Sequence, residues 1–546
     1  MPVAVMAGSP FAPAVAAALT GEATGDPTRG NRVAIVSGGN DALLLRVHLI
    51  RQARVSIDIQ TFIWSDDECG RLMIYELIEA ARRGVKVRVI ADHMVSDQDP
   101  ATVAFLATVH PNFQLKHYRP AMARIKPSRI QTMLAALWSF HDINQRMHNK
   151  VMIFDGAVLI TGGRNIENTY FDRSSKMNFR DRDVLAIGPV AQAATASFEQ
   201  FWKFRQAVPG TELKDVAAVI AQGKYPRYET RADYDFGPFF KEMEGAAPAV
   251  QGVAEKFAGR LCPVARVDFI CDEPGKPNAR IALALRQTAA QAQRSVVMQT
   301  PYLILSKPAR RLVHELREKN PDLSIRISSN SFASTDNLFA YSANYRLRGL
   351  YMDELKLQIH EFKPRPDSLR TLFPDYDAIA AIAREKDAKA SPPYLCVHAK
   401  SLVVDDRLAF IGSYNLDPRS ENLNTEVGLV IEDAALAREL REEIEADMRP
   451  ENSWVIGHRV LPLGLGVLNS MIAGLISLSP VDVWPIQNTT SFELRAGAKA
   501  VPPDDSAFHK NYREVGSFPG TEGVFTQKEI LTRLYKAVGS PLTPIM

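Results

Sequence analysis

One pattern occurs twice in this chain, and it constrains the fold more tightly than composition does. His148-Asn149-Lys150 is followed by Asp155, and His398-Ala399-Lys400 by Asp405, so both copies read His-x-Lys-x4-Asp. Seven residues past each aspartate stand Gly162-Gly163-Arg164-Asn165 and Gly412-Ser413-Tyr414-Asn415. A single His-x-Lys is noise in 546 residues; two copies sharing a register imply one structural unit built twice.

The correspondence continues upstream. Val55 to Thr61 is matched by Ser295 to Thr300, and alternation with β-branched residues makes both strands. Helical stretches follow at Gly70 to Arg83 and Pro308 to Lys319, then second strands at Val85 to Ile90 and Leu323 to Ile327. Short strands ending at Pro120 and Pro364 precede irregular segments, and the His-x-Lys strands then run Lys150 to Phe154 and Lys400 to Val404. Alternating strands and helices predict an α/β fold: two similar α/β/α sandwich halves related by pseudo-two-fold symmetry, with the active site at their interface. The boundaries read 1–30 as a disordered or truncated leader, 31–207 as the first half, 208–261 as a connector and 262–450 as the second half. An apolar segment, 451–484, and a tail, 485–546, follow.

Composition narrows the functional classes. Lys plus Arg number 65 against 62 Asp plus Glu, so no global basic field argues for nucleic acid. Four scattered cysteines give neither a disulfide framework nor a zinc site and read as buried free thiols. The first twenty residues carry no charged side chain and lack the basic start of a secretory signal.

Strand side chains alternate, so a His and a Lys two residues apart share a face. The strand-turn-strand that follows returns an Asn to the same side. Lys150, Lys400, Asn165 and Asn415 then make an anion site, with Ser413 as a hydroxyl donor that Gly163 cannot supply in the first half. His148 and His398 contribute a nucleophile and a proton carrier. Such a pair suits double displacement at phosphorus: one neutral imidazole attacks, the other protonates the departing oxygen and later deprotonates the incoming hydroxyl. Lysines and amides stabilise the equatorial oxygens, so the scheme calls for no metal and no cofactor. A carboxylate on each Nδ1 would separate the two roles, and Asp183 and Glu426, each opening an apolar strand, are the candidates. The motif aspartates Asp155 and Asp405 complete the candidate catalytic set, although their place after the strand suits bracing the turn better than touching substrate.

These motifs resemble the phospholipase D superfamily over roughly residues 30 to 484, so the expected halves are phospholipase D-like. Asn144 to Lys150, Gly162 to Ile166, Tyr170-Phe171, Asp181 to Val184 and Phe198 to Trp202 are similar to bacterial cardiolipin synthases of the C type. So are Gly412 to Ser420 and Leu423 to Glu426. The resemblance implies a phosphatidyltransferase that makes cardiolipin from phosphatidylglycerol and a second phospholipid through a phospho-histidine, with His148 as nucleophile and His398 as acid and base. Residues after Trp484 have no counterpart in it; they read as an accessory or docking segment, or as a plain extension.

Two stretches suit a lipid surface. Val460 to Val481 is uncharged but interrupted by Pro462, Gly464, Gly466 and Gly474, which favours an interfacial segment over a spanning helix. Lys116, Arg119, Arg124, Lys126 and Arg129 lead into Met133-Leu134, Leu137-Trp138 and Phe140, and each cation near an anionic surface contributes about 1 kcal/mol. The expected location is peripheral, on the bacterial inner membrane, with phospholipids as substrates and no nucleic acid. Three alternatives stay open: a phospholipase D releasing phosphatidic acid, which includes a secreted effector; a nuclease; and an inactive binding protein.

Overall fold

The structure, a computed structural model, describes residues 26, 28–93, 99–127, 144–226, 247–275, 280–459 and 488–521. Its first sheet runs, in spatial order, Cys262–Val264, Asn31–Val36, Asp183–Ile187, Val158–Gly162, Val151–Phe154, Ser56–Thr61, Lys86–Asp92, Phe113–Tyr118 and Ala207–Pro209. The second runs Arg266–Cys271, Val427–Glu432, Leu408–Gly412, Lys400–Val404, Ser295–Gln299, Ser324–Asn330, Gln358–Phe362, Ser453–His458, Thr489–Leu494 and Tyr512–Gly516. From Asn31–Val36 and from Arg266–Cys271 onward the two orders match strand for strand as far as Ala207–Pro209 and Ser453–His458. In each sheet the three strands after the His-x-Lys strand are mutually parallel, and the other neighbours are antiparallel. The duplicated α/β design expected from the repeat is therefore the architecture.

Burial on both faces explains why these strands read as almost continuous apolar runs. Within Val151–Phe154, Met152 and Phe154 join an outer core under helices Gly39–Gln52 and Glu68–Arg82. Val151 and Ile153 point the other way, into a core shared with the second half. Val403 joins that same shared core, while Leu402 and Val404 pack outward. Two helices fill the space between the sheets, Val190–Trp202 and Ala434–Met448. The second shows the local logic. Asp433 caps its start by accepting from the backbone N–H of Ala435 and Leu436, each at 2.9 Å. Leu436, Leu440, Ile444 and Met448 recur every fourth residue and are all buried, and Arg449-Pro450 ends the helix in extended backbone. Each such burial contributes about 1.5–3 kcal/mol, so Leu440→Asp would break the join between the halves.

The halves also exchange backbone. Met177–Arg180 of the first pairs in parallel with Tyr394–Val397 of the second, just before His398. His148 donates its N–H to the Thr425 carbonyl at 2.9 Å, and Thr425 donates to the Arg146 carbonyl at 2.9 Å.

Several expectations change at the edges. The stretch from 451, set apart as an apolar segment, begins with a strand of the second sheet, and the tail contributes two more, Thr489–Leu494 and Tyr512–Gly516. Phe492, Phe508 and Tyr512 give them their own small core with Val455. Two cations of the basic stretch turn inward: Lys116 donates to the Trp202 carbonyl at 2.8 Å, and Arg119 is buried beside Tyr118 and Phe204. Cys69 and Cys396 are buried, but Cys262 is exposed and Cys271 half-buried. The leader 1–20, Arg129, the apolar residues of 133–140, the stretch 460–481 and the segment 526–537 lie outside the described residues. Among the described residues no helix is long and apolar enough to cross a membrane.

The motif aspartates brace the sheets. Asp155, with φ 51°, accepts from the N–H groups of Arg54, Val55 and Ser56 at 2.7–3.1 Å. Asp405, with φ 52°, does the same for Gln293, Arg294 and Ser295 at 2.7–2.8 Å. Each ties the far end of its His-x-Lys strand to the start of the neighbouring strand, a strand length of about 13 Å from the histidine end. Asp155→Ala leaves three backbone donors without their acceptor and is expected to cost about 1–3 kcal/mol in urea unfolding. The folded variant should keep its turnover per molecule; a stable but inactive Asp155→Ala would place this residue in the chemistry instead.

Candidate active site at the join between the halves

His148 and His398 line one cavity of about 550 Å³. Asn165, Tyr170, Asn415, Arg419 and Asn424 line it together with the apolar Ile304, Phe339, Ala340, Ala343 and Leu347, and Asp336 and Arg346 add charge to the lining. The expected histidine pair is thus brought together across the pseudo-two-fold axis.

Each histidine is held by a carboxylate from the opposite half. His148 Nδ1 lies 2.8 Å from Glu426 Oε2, and His398 Nδ1 lies 2.6 Å from Asp181 Oδ2. A carboxylate accepts, so the proton sits on Nδ1 and Nε2 is left for the cavity. Aromatic edges fix the ring planes: Phe62 meets His148 at 4.8 Å between centroids, and Tyr170 and Phe179 meet His398 at 5.1 and 4.6 Å.

Asp183 is not the partner that the sequence suggested. It is fully buried between Arg46 at 2.8 Å and Arg164 at 3.2 Å, which neutralise it. Ladder register shows why. Gly162 faces Asp183 and Gly412 faces Gly428, so the counterpart of Glu426 is Asp181, two residues before Asp183. The signal lies in the alternating acids of Arg180-Asp181-Arg182-Asp183, of which Asp183 opens the apolar strand and Asp181 stands two residues before it. Gly163 has its reason here too: a Cβ at that position would sit 2.1 Å from Asp181 Oδ1. The shorter Asp181 must come closer to its histidine than Glu426 does, and it takes the space that a serine would fill.

The phosphate-binding expectations divide. Ser413 is fully buried, donates to Glu426 and accepts from the Val427 N–H at 3.0 Å, so it braces Glu426 and does not reach the cavity. Asn165 lines the cavity but is committed on both ends, to the Ile63 N–H at 3.1 Å and the Tyr170 hydroxyl at 2.8 Å. Asn415 is free: its side-chain oxygen has no hydrogen-bond partner, and half a turn of the amide presents donors instead. Lys150 donates to the His148 carbonyl at 2.9 Å, and Lys400 Nζ lies against the His398 ring, 2.6 Å from Nδ1 and 3.0 Å from Nε2, so each lysine stands beside its histidine. Arg419, half-buried on the wall, is a further cation.

The two half-sites differ electrostatically. Burial, then Lys150 and Lys400, push His148 well below the ordinary histidine range, so it is held neutral, and burial raises its partner Glu426 against the pull of Lys150. Burial alone would raise Asp181 as well, but Lys400, His398 and Arg164 hold it below the usual carboxylate range. His398 is lowered by burial and Lys400 and pulled back up by Asp181. Burial brings Lys400 down to about 8. His398 is therefore the imidazole with an ionised partner. Asp181→Asn removes the anion that raises it, so the His398 pKa read by imidazole NMR should fall further, while Asp183→Asn should leave it in place. An unmoved His398 in Asp181→Asn would show that Asp181 does not set its charge.

Comparison with known proteins agrees with this architecture. Residues 47–202 and 285–448 match the family described as "Cardiolipin synthase, PLD-like domain", one block in each half. The chain is 31% identical over 442 residues to an uncharacterized protein of Helicobacter pylori, covering 78% of this chain and 81% of that one. It is 28% identical over 421 residues to cardiolipin synthase C of Escherichia coli K12, covering 73% and 80%. The crystal structure of a phosphatidylserine synthase from Haemophilus influenzae shares the fold, with a TM-score of 0.50 at 16% identity over 82% of this chain and 93% of that one. The chain belongs to the cardiolipin synthase PLD-like domain family and is a phosphatidyltransferase enzyme of the phospholipase D superfamily.

Proposed function

We propose that this enzyme joins two phospholipids, transferring a phosphatidyl group onto phosphatidylglycerol to give cardiolipin, through a phosphatidyl-histidine. The observation that carries the reading is the pair of unlike imidazoles facing one cavity, each oriented by the other half. Neutral His148 Nε2 attacks phosphorus; the P–O bond to the departing headgroup alcohol breaks, and protonated His398 gives its proton to that oxygen. In the second step neutral His398 takes the proton of the incoming hydroxyl as its oxygen attacks phosphorus, and the P–N bond to His148 breaks. Lys150, Lys400, the Asn415 amide and Arg419 offset the charge that develops on the phosphoryl oxygens. A desolvated site makes those interactions stronger than they are in water.

The apolar part of the lining, Phe339, Ala340, Ala343 and Leu347, favours a lipid alcohol over water as acceptor. Leu338 and Phe339, 37% and 44% exposed, stand at or beside the cavity rim and suit a peripheral position on an anionic bilayer such as the bacterial inner membrane.

Labelled phosphatidylglycerol, with and without phosphatidylethanolamine, should yield labelled cardiolipin from the purified protein. Phosphatidic acid alone would make it a hydrolase. His148→Ala and His398→Ala should each lower turnover at least about 100-fold. Because His398 must carry a proton to release the alcohol, kcat/KM should fall as pH rises through its pKa. A rate that climbs there would contradict the assigned roles.

A further inference from the structure

The two halves differ in one place that the reaction does not explain. In the first half, helices Gly39–Gln52 and Glu68–Arg82 pack together over the sheet, with Arg51 Nε holding Glu76 at 3.0 Å between them. Leu43 and Ile50 of the first of these helices are fully buried in the core beneath. In the second half the corresponding helices are Arg280–Ala289 and Lys307–Lys319. Their register is fixed by the strands that follow, because Asp155 caps residues 54–56 as Asp405 caps 293–295. Counted back from Ser56 and Ser295, Leu43 becomes Ala282 and Ile50 becomes Ala289.

Both alanines line a cleft between the helices, with a cavity of about 90 Å³. Leu285, Leu312, Val313 and Leu316 line it as well. The charged groups on its wall are already satisfied: Arg286 pairs with Glu421 at 2.9 Å, and Asp417 accepts from the Ser420 N–H at 2.7 Å. In the first half helix Ala247–Arg260 packs over Gly39–Gln52, and among the described residues nothing covers the second half in the same way, so Leu283 is 50% exposed. The cleft adjoins the active-site cavity, and Ile304 and Asp417 form part of the wall of both.

We propose that this cleft holds one acyl chain of the phospholipid whose phosphodiester lies between His148 and His398. The inference rests on the phospholipid reading above. An apolar cleft beside the reacting site, with its wall charges already paired, suits a hydrocarbon chain and offers nothing to a headgroup. In the first half the matching positions carry the larger Leu43 and Ile50, both fully buried, so the second half is the one that offers that chain room.

The test restores the first half's side chains. The double variant Ala282→Leu/Ala289→Ile should fold and melt higher, since it fills a cavity as the first half does. Its KM for dioleoyl phosphatidylglycerol in detergent micelles should rise about ten-fold, the loss of burial for about two methylene groups. Turnover of dibutyryl phosphatidylglycerol, whose chains are too short to occupy the cleft, should stay unchanged. Equal effects on both lipids, or on neither, would overturn the assignment.

A second readout does not depend on turnover. Phosphatidylglycerol with a diazirine at the end of one acyl chain should label peptides spanning 280–289 and 307–319 in the original protein and not in the double variant. Adducts confined to the rim at Leu338 and Phe339 would also overturn it. Labelling of the cleft by a protein that turns over no phospholipid would leave the cleft standing and refute the proposed reaction.

Discussion

The reciprocal hold of each half on the other's histidine is the constraint on which the rest depends. Glu426 is useless without His148, and Asp181 without His398, so neither half makes a site alone. The scaffold is arranged to keep those distances. Strands Met177–Arg180 and Tyr394–Val397 pair immediately before His398, and Thr425 ties the backbone on either side of Met147. Buried charges carry the restraint further: Arg182, 2% exposed, bonds Gln299 at 2.6 Å and Glu443 at 2.8 Å, both from the second half. Breaking one partner of such a buried pair costs about 3–5 kcal/mol, which makes the join specific as well as strong.

That join also gives the two half-sites of a symmetric fold unlike electrostatics. Duplication gives two imidazoles with the same reach, and one difference in chain length sets them apart. Glutamate stands where Ser413 has room to brace it; aspartate stands where only glycine fits. Asp181 lies within the influence of Lys400 and Arg164 and stays ionised, whereas burial drives Glu426 the other way. In the proposed reaction the first environment suits a proton carrier and the second a neutral nucleophile.

Much of this was legible in the sequence. The strands from Val55, Val85, Lys150 and Val158, with their counterparts, stand within a residue or two of where the apolar alternation puts them, because each is buried on both faces. The histidines were legible as a pair because they repeat. What escaped depends on pairing rather than pattern. Asp181 and Asp183 have the same type and spacing, and only the ladder register tells them apart. The strands Thr489–Leu494 and Tyr512–Gly516 occur once, so no repeat announced them. Ser413 looked like a donor to substrate because its bond to Glu426 crosses between strands. The alanines at 282 and 289 were invisible until the first half supplied Leu43 and Ile50 for comparison.

The central claim, that one histidine is the nucleophile and the other its proton partner, is tested most directly by trapping the covalent intermediate. In a rapidly quenched reaction with phosphatidylglycerol, peptide mapping of the His398→Ala variant should find the phosphatidyl adduct on His148. An adduct on His398 in the His148→Ala variant, with His148 unmodified whenever both are present, would reverse the roles and contradict the account.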